Sequence, residues 1–268
     1  MKNVLIVLLA VACVFLLVAG NLHWKEKTTV SSAKQDQNGT VSQDVNNEKE
    51  TTTPGNPDID VEELTKLTES WPNDARAQYS EALENNKPFT ILLAGSNALG
   101  TEENSWSSLL KKELETAFAG TVKVVVKTYD LTSSQFIAGE KLGELTKVKP
   151  DMTLLEPFIL KDNGMVTIED SEKNITSIAA GLLEENSNHS LILQPSFPIY
   201  QATYYPLQVE ALEDYANRNS IDYLDHWSSW PDPDSEEIKQ YLTEDQESPN
   251  EAGHKLWADY LVNYFIAK

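Results

Sequence analysis

A chain of 268 residues with 21 Lys and Arg against 42 Asp and Glu carries a formal charge of −21, so no basic surface remains to neutralise the phosphates of a nucleic acid. Its single cysteine, Cys13, lies in an apolar N-terminal run, which excludes a disulfide or a cysteine-based metal site in the rest of the chain. No cofactor is expected, and the ~210 residues after the N-terminal stretch are enough for one α/β domain.

Val4–Gly20 is apolar throughout and is followed by Trp24 and Lys25, a suitable interfacial end. Residues 1–24 therefore read as a transmembrane anchor, with a signal peptide cleaved after Val18-Ala19-Gly20 as the rival reading. A lipid-modified Cys13 fits less well, because the apolar run continues past it. The bulk of the chain is expected on the extracytoplasmic side of a cell membrane, or secreted if the segment is removed. Residues 25–58 are Ser, Thr, Asn, Gln, Lys and Glu with almost no aliphatics, the composition of a disordered linker.

The domain is expected over residues 59–268. Val61–Leu67 and Ala75–Leu83 read as helical pieces flanking Trp71-Pro72 and covering the rim. Five short apolar runs then alternate with helical patterns: Phe89–Leu93, Thr121–Thr128, Met152–Phe158, Ser190–Gln194 and Ile221–Leu224. Between and after them, Trp106–Phe118, Ser133–Thr146, Ile175–Glu185, Leu207–Asn217 and Gly253–Ala267 have helical spacing. That alternation predicts a flavodoxin-like three-layer α/β/α fold around a five-stranded parallel sheet, as a monomer.

The chemistry is expected around Phe89–Gly100. A buried strand breaks at Ala94-Gly95-Ser96-Asn97-Ala98-Leu99-Gly100, where small residues permit a sharp turn. A serine there stands at the carboxyl edge of the sheet, where open α/β folds place their sites, and the next helix directs its amides toward the same point. Ser96 is the candidate nucleophile, beside the plainer reading of an ordinary strand-to-helix turn. An α/β-hydrolase elbow at Ala94–Ala98 fails on order, since that elbow follows several strands and an upstream glycine-rich segment.

A first strand ending in this serine turn, with Pro249-Asn250-Glu251-Ala252-Gly253-His254 opening the last helix, resembles the SGNH/GDSL hydrolase family over Phe89–Lys268. The resemblance implies the SGNH hydrolase fold and a serine ester hydrolase acting on carbohydrate-linked or small acyl esters. Gly95-Ser96 and Gly100 fit the first family block, without its leading glycine and its acidic residue. At the second block, Asp130 stands where a glycine amide helps to hold the oxyanion. At the third, Glu156-Pro157-Phe158 and the following residues to Gly164 replace Gly-x-Asn-Asp, leaving Asn163 as a side-chain oxyanion donor or simply a turn residue. The last block reads Asp245-Gln246-Glu247-Ser248-Pro249-Asn250, with serine where the family has its catalytic histidine. A serine cannot accept a proton near neutral pH, so the base must come from elsewhere.

His226, after the fifth strand with Asp225 beside it, is the first candidate, against a reading as a loop residue capping Trp227. His254 lies farther along the last helix and is the second candidate, while His189 is expected on the surface at the opposite edge. Asp245 or Asp225 would orient the base. The contrasting reading is a catalytically impaired module that binds envelope glycan or partner proteins, with Trp71, Trp106, Trp227, Trp230 and Trp257 offering sugar-stacking faces, although the helical spacing of Trp257 reads rather as core.

Overall fold

The computed structural model describes residues 60–267. The expected anchor and linker, 1–24 and 25–58, lie outside the described residues. Among the described residues, no helix is long and apolar enough to cross a membrane.

Five parallel strands form one sheet in the order β2-β1-β3-β4-β5: β1 Phe89–Ser96, β2 Val122–Tyr129, β3 Met152–Leu155, β4 Ser190–Leu193 and β5 Asp222–Tyr223. In β1, Ile91 and Leu93 pack into one core and Leu92 and Ala94 into the other. Burial on both faces is why this strand is a continuous apolar run rather than an alternating one. The first core is closed by α3 (Trp106–Ala117) and α9 (Glu251–Phe265). The second is closed by α7 (Ile168–Glu185) and α8 (Tyr205–Asn219).

Local chemistry sets the ends of these helices. Ser105 caps α3 by accepting from the Ser108 amide, and Asn250 caps α9 by accepting from Gly253. Gly253, Trp257, Leu261 and Phe265 recur every four residues along α9 and are all buried, giving one face to the sheet. Trp257 stacks on Trp106 of α3 at 4.7 Å between ring centroids.

Several expectations change in the fold. The third strand, expected to reach Phe158, ends at Leu155. The helix expected over Ser133–Thr146 is two, α4 (Ser133–Ala138) and α5 (Leu142–Thr146), separated where Glu140 takes a left-handed φ of 54°. The strand expected to end at Leu93 runs on to Ser96, because its ladder with β2 continues through Gly95–Thr128 and Ser96–Tyr129. The segments α1 (Val61–Lys66) and α2 (Asn73–Glu84) do more than cover a rim. Trp71 between them is buried against Tyr79, Phe89 and Phe118, and its indole donates to the Phe265 carbonyl at 2.8 Å.

Candidate active site

The chain leaves β1 toward β2 on one side and returns to β3 on the other, so the connections that follow these two paired strands part to opposite faces of the sheet at their carboxyl ends. Open α/β sheets hold their sites at such a switch point. Ser96 is the last residue of β1, and Glu156 directly follows β3. Their neighbouring positions in the sheet bring a hydroxyl and a carboxyl together.

Ser96 is 1% exposed at the floor of a cleft of about 390 Å³. Asn97 and Ala98 continue the floor, Leu160 and Lys161 of α6 (Ile159–Asp162) form one wall, and Phe197 and Ile199 form another. Gln246, Glu247 and Ser248 close it from the last block. The first and last family blocks therefore meet across one cleft, as the resemblance implies. A serine, not an imidazole, faces Ser96 from the far side.

The Ser96 amide donates to Glu156 Oε2 at 2.7 Å, and its Oγ accepts from the Ala98 amide at 3.2 Å. Glu156 is fully buried and its Oε1 has no hydrogen-bond partner. Removal from water pushes its pKa up to about 7, against the pull of the Ser96 hydroxyl and amide, which favour the charged form. Gly95 makes the approach possible: a Cβ there would lie 2.5 Å from the Glu156 carbonyl oxygen and 2.8 Å from Oε2. Past Pro157, buried Phe158 takes a left-handed φ of 67° and its amide returns to the Glu156 carbonyl at 2.9 Å. A bulky residue in that region is strained, and the tight turn it closes aims Glu156 back under Ser96.

His226 is not at the cleft. It is fully buried, stacked on Trp257 at 4.2 Å, with Nε2 bonded to the Pro195 carbonyl at 3.0 Å and Nδ1 accepting from the Trp230 indole at 3.0 Å. An indole N–H only donates, so Nδ1 is bare and Nε2 carries the proton. Burial drives the pKa down to about 3, and the ring has no free nitrogen for Ser96. The expectation that it acts as base fails because both nitrogens are committed inside the core. Asp225, expected to orient it, caps the next turn by accepting from the Trp227 amide at 3.1 Å.

His254 accepts the first amide of α3, from Trp106, on Nδ1 at 3.3 Å, and burial lowers its pKa to about 4. The α3 amide expected to point at Ser96 is thus taken by His254, which does not line the cleft. His189 is buried rather than superficial and bonds Thr153 at 2.8 Å. Asp245 is exposed and holds a turn, accepting from the Thr243 hydroxyl at 2.6 Å and the Glu247 amide at 3.1 Å. Asn163 is exposed and does not line the cleft. Exposed Asp130 pairs with Lys161 at 2.6 Å, placing it beside the α6 wall rather than under Ser96. Trp71, Trp106, Trp230 and Trp257 are buried, and Trp227 is half-buried with its indole on the Ser196 carbonyl, so none of the five is a free stacking platform.

No protein-family model matches the chain, and no curated protein matches it in sequence. Solved structures do match. A protein described as a GDSL-like lipase from Parabacteroides merdae superposes with a TM-score of 0.55 at 12% identity, covering 67% of this chain and 96% of that one. The chain has the SGNH/GDSL hydrolase fold. A catalytic mutant of the acetylxylan esterase Axe2 from Geobacillus stearothermophilus shares it with a TM-score of 0.52 at 14% identity, covering 66% of this chain and 94% of that one. A carbohydrate esterase family 3 protein from Talaromyces cellulolyticus does so at 0.55 and 13%, covering 65% and 94%.

Within the SGNH fold, two buried carboxylates emerge that sequence reasoning did not single out. Asp162 accepts from the Ser133 amide at 2.7 Å and hydroxyl at 2.6 Å, tying α6 to the start of α4. Glu156 leaves only a position in the sequence, a charge directly after Met152–Leu155 where the family has glycine, and nothing there reveals its contact with Ser96.

Proposed function

We propose that this chain is an SGNH-type serine ester hydrolase acting on the extracytoplasmic side of a membrane, with Ser96 as nucleophile and O-acylated carbohydrate or small acyl esters as substrates. The observation that carries the reading is the position of Ser96 at the switch point, under an open cleft and against a buried carboxylate. The cleft suits an acylated sugar: Leu160, Phe197 and Ile199 offer an apolar wall for the acyl group, while Asn97, Gln246 and Ser248 offer hydrogen bonds. Two of the fold's neighbours are named as an acetylxylan esterase and a carbohydrate esterase, which supports the substrate class. The extracytoplasmic placement rests on the apolar Val4–Gly20 run alone.

A fluorophosphonate probe should label the wild-type chain and leave Ser96→Ala unlabelled, with short-chain ester hydrolysis lost in parallel. One observation favours a second reading, a module that binds an acylated glycan without cleaving it: among the described residues no imidazole lines the cleft, and Glu156 occupies the Ser96 amide. Absence of labelling in the wild type, with retained binding of an acylated oligosaccharide, rejects the hydrolase in favour of that module.

A further inference from the structure

We propose that Glu156 takes the place of the missing imidazole as the general base that deprotonates Ser96. The inference rests on the reading of Ser96 as a nucleophile and names the group that reading lacks. Glu156 Oε2 is fixed by the Ser96 amide at 2.7 Å, which holds the carboxylate against the residue that carries the hydroxyl, and Ser96 Oγ itself accepts from the Ala98 amide at 3.2 Å. The second oxygen of Glu156, Oε1, is buried without a partner. A buried acceptor without a partner costs stability, more when charged, so a chain keeps one beside a hydroxyl only against a steady loss.

Other acids and bases near this corner are engaged. Asp162 of α6 is held by Ser133, Lys161 by Asp130, and Asp245 by its own turn. His226 and His254 are bound within the core and at the start of α3. Two titratable groups interact with Glu156, Asp162 of α6 and the buried Tyr205 of α8, whose own ionisation Glu156 opposes. Burial first and Asp162 second disfavour the charge on Glu156, which keeps the carboxyl a competent proton acceptor near neutrality rather than a permanently ionised spectator.

In the forward step, the Ser96 proton passes to Glu156 while Oγ bonds the acyl carbon. Collapse breaks the bond from that carbon to the alkoxy oxygen, and the alcohol leaves with the proton from Glu156. Water then gives a proton to Glu156 as its oxygen bonds the acyl carbon, and Ser96 departs with that proton. The sum is ester and water to acid and alcohol. The Ser96 amide stays on Oε2 throughout, so the oxyanion is met from the cleft side by the Asn97 amide group and, on turning from Asp130, by the Lys161 ammonium.

The test is the rate of fluorophosphonate labelling of the full chain, with Ser96→Ala and Glu156→Gln alongside. General-base loss predicts that Glu156→Gln labels roughly 10²–10⁴-fold more slowly while melting as a folded protein. In the wild type, the rate should climb about tenfold per pH unit and level off near pH 7, where the carboxyl is fully ionised. Labelling of Glu156→Gln at the wild-type rate, with Ser96→Ala silent, overturns the role of Glu156 and leaves the nucleophile standing. A silent wild type overturns the hydrolase reading itself. Should Glu156→Gln fail to fold, the wild-type profile decides, and a rate with no break around neutrality rejects the proposal.

Discussion

Two fully buried titratable side chains stand near the carboxyl edge of the sheet, and their surroundings differ in kind. His226 has both ring nitrogens bonded and lies on Trp257, whose indole donates to Gln194 Oε1 at 3.0 Å and which stacks in turn on Trp106. Glu156 has one oxygen on the Ser96 amide and the other on nothing, and the Ser196 hydroxyl, also buried, has no partner either. Burial and a displaced pKa are common to both. A buried oxygen without a partner beside Ser96 is found at Glu156 and not at His226; it is what the proposed role of Glu156 requires, while the closed set of bonds at His226 fits a structural group.

The contrast breaks most sharply at the tryptophan under His226. Trp257→Ala removes a fully buried ring that joins α9 to both Trp106 and His226, and should cost about 3–5 kcal/mol in urea unfolding. Labelling of Ser96 per folded molecule should not change. Loss of labelling in the fraction that remains folded would join the two regions into one functional unit.

Their response to pH should have opposite sign. Glu156 has its folded pKa raised from 4.5 to about 7, so its contribution to stability is full below the unfolded value and is lost as pH rises through the folded one, a change of about 3 kcal/mol. His226 has its folded pKa lowered from 6.5 to about 3, so its contribution is full above the unfolded value and is lost as pH falls toward the folded one. Glu156→Gln should therefore be more stable than wild type by up to about 3 kcal/mol above neutrality and equal to it in acid, read from urea midpoints across pH. A constant offset at all pH values would mean that Glu156 titrates with the same pKa in the folded and unfolded chain, and one that keeps growing well above neutrality would mean that it stays protonated in the fold.

A smaller effect is expected at the glycine that makes room for Glu156. Gly95→Ala forces a Cβ into the Glu156 backbone and carboxyl, with little slack in a buried parallel ladder. The cost should be about 1–3 kcal/mol, and labelling should fall because Glu156 must move away from Ser96. Unchanged stability would place the close packing of this corner in doubt.

The alternation of Val- and Leu-rich runs with helical spacing made the layered architecture legible, and so did Ser96 at the end of β1. Asp245, Ser248 and Pro249-Asn250 kept enough of the last family block to bring that loop to the cleft. Sequence proximity misled for His226: Asp225 and Trp227 beside it suggest a loop at the site, but burial against Trp257 comes from α9, far along the chain. Position along a helix equally could not reveal that His254 closes the start of α3, since that contact joins residues 148 positions apart. Glu156 was hidden for another reason. Its meaning depends on Gly95 lying beside it in the sheet and on the left-handed turn at Phe158, and neither can be read from a one-dimensional pattern.

The smallest expected effect tests the outer wall of the cleft against its floor. Lys161 and Asp130 form an ion pair at 2.6 Å whose side chains are 36% and 75% exposed, so solvent screens most of the attraction. Asp130→Asn should change stability by no more than about 1 kcal/mol, and the difference should vanish near ~1 M salt, where the Debye length is ~3 Å. The same variant releases the Lys161 ammonium to face the cleft. If that cation meets the oxyanion, Asp130→Asn should keep or modestly raise the labelling rate, whereas Lys161→Met should lower it. A drop with Asp130→Asn equal to that with Lys161→Met would instead assign the pair a positioning role, with the lysine useful only while the aspartate holds it.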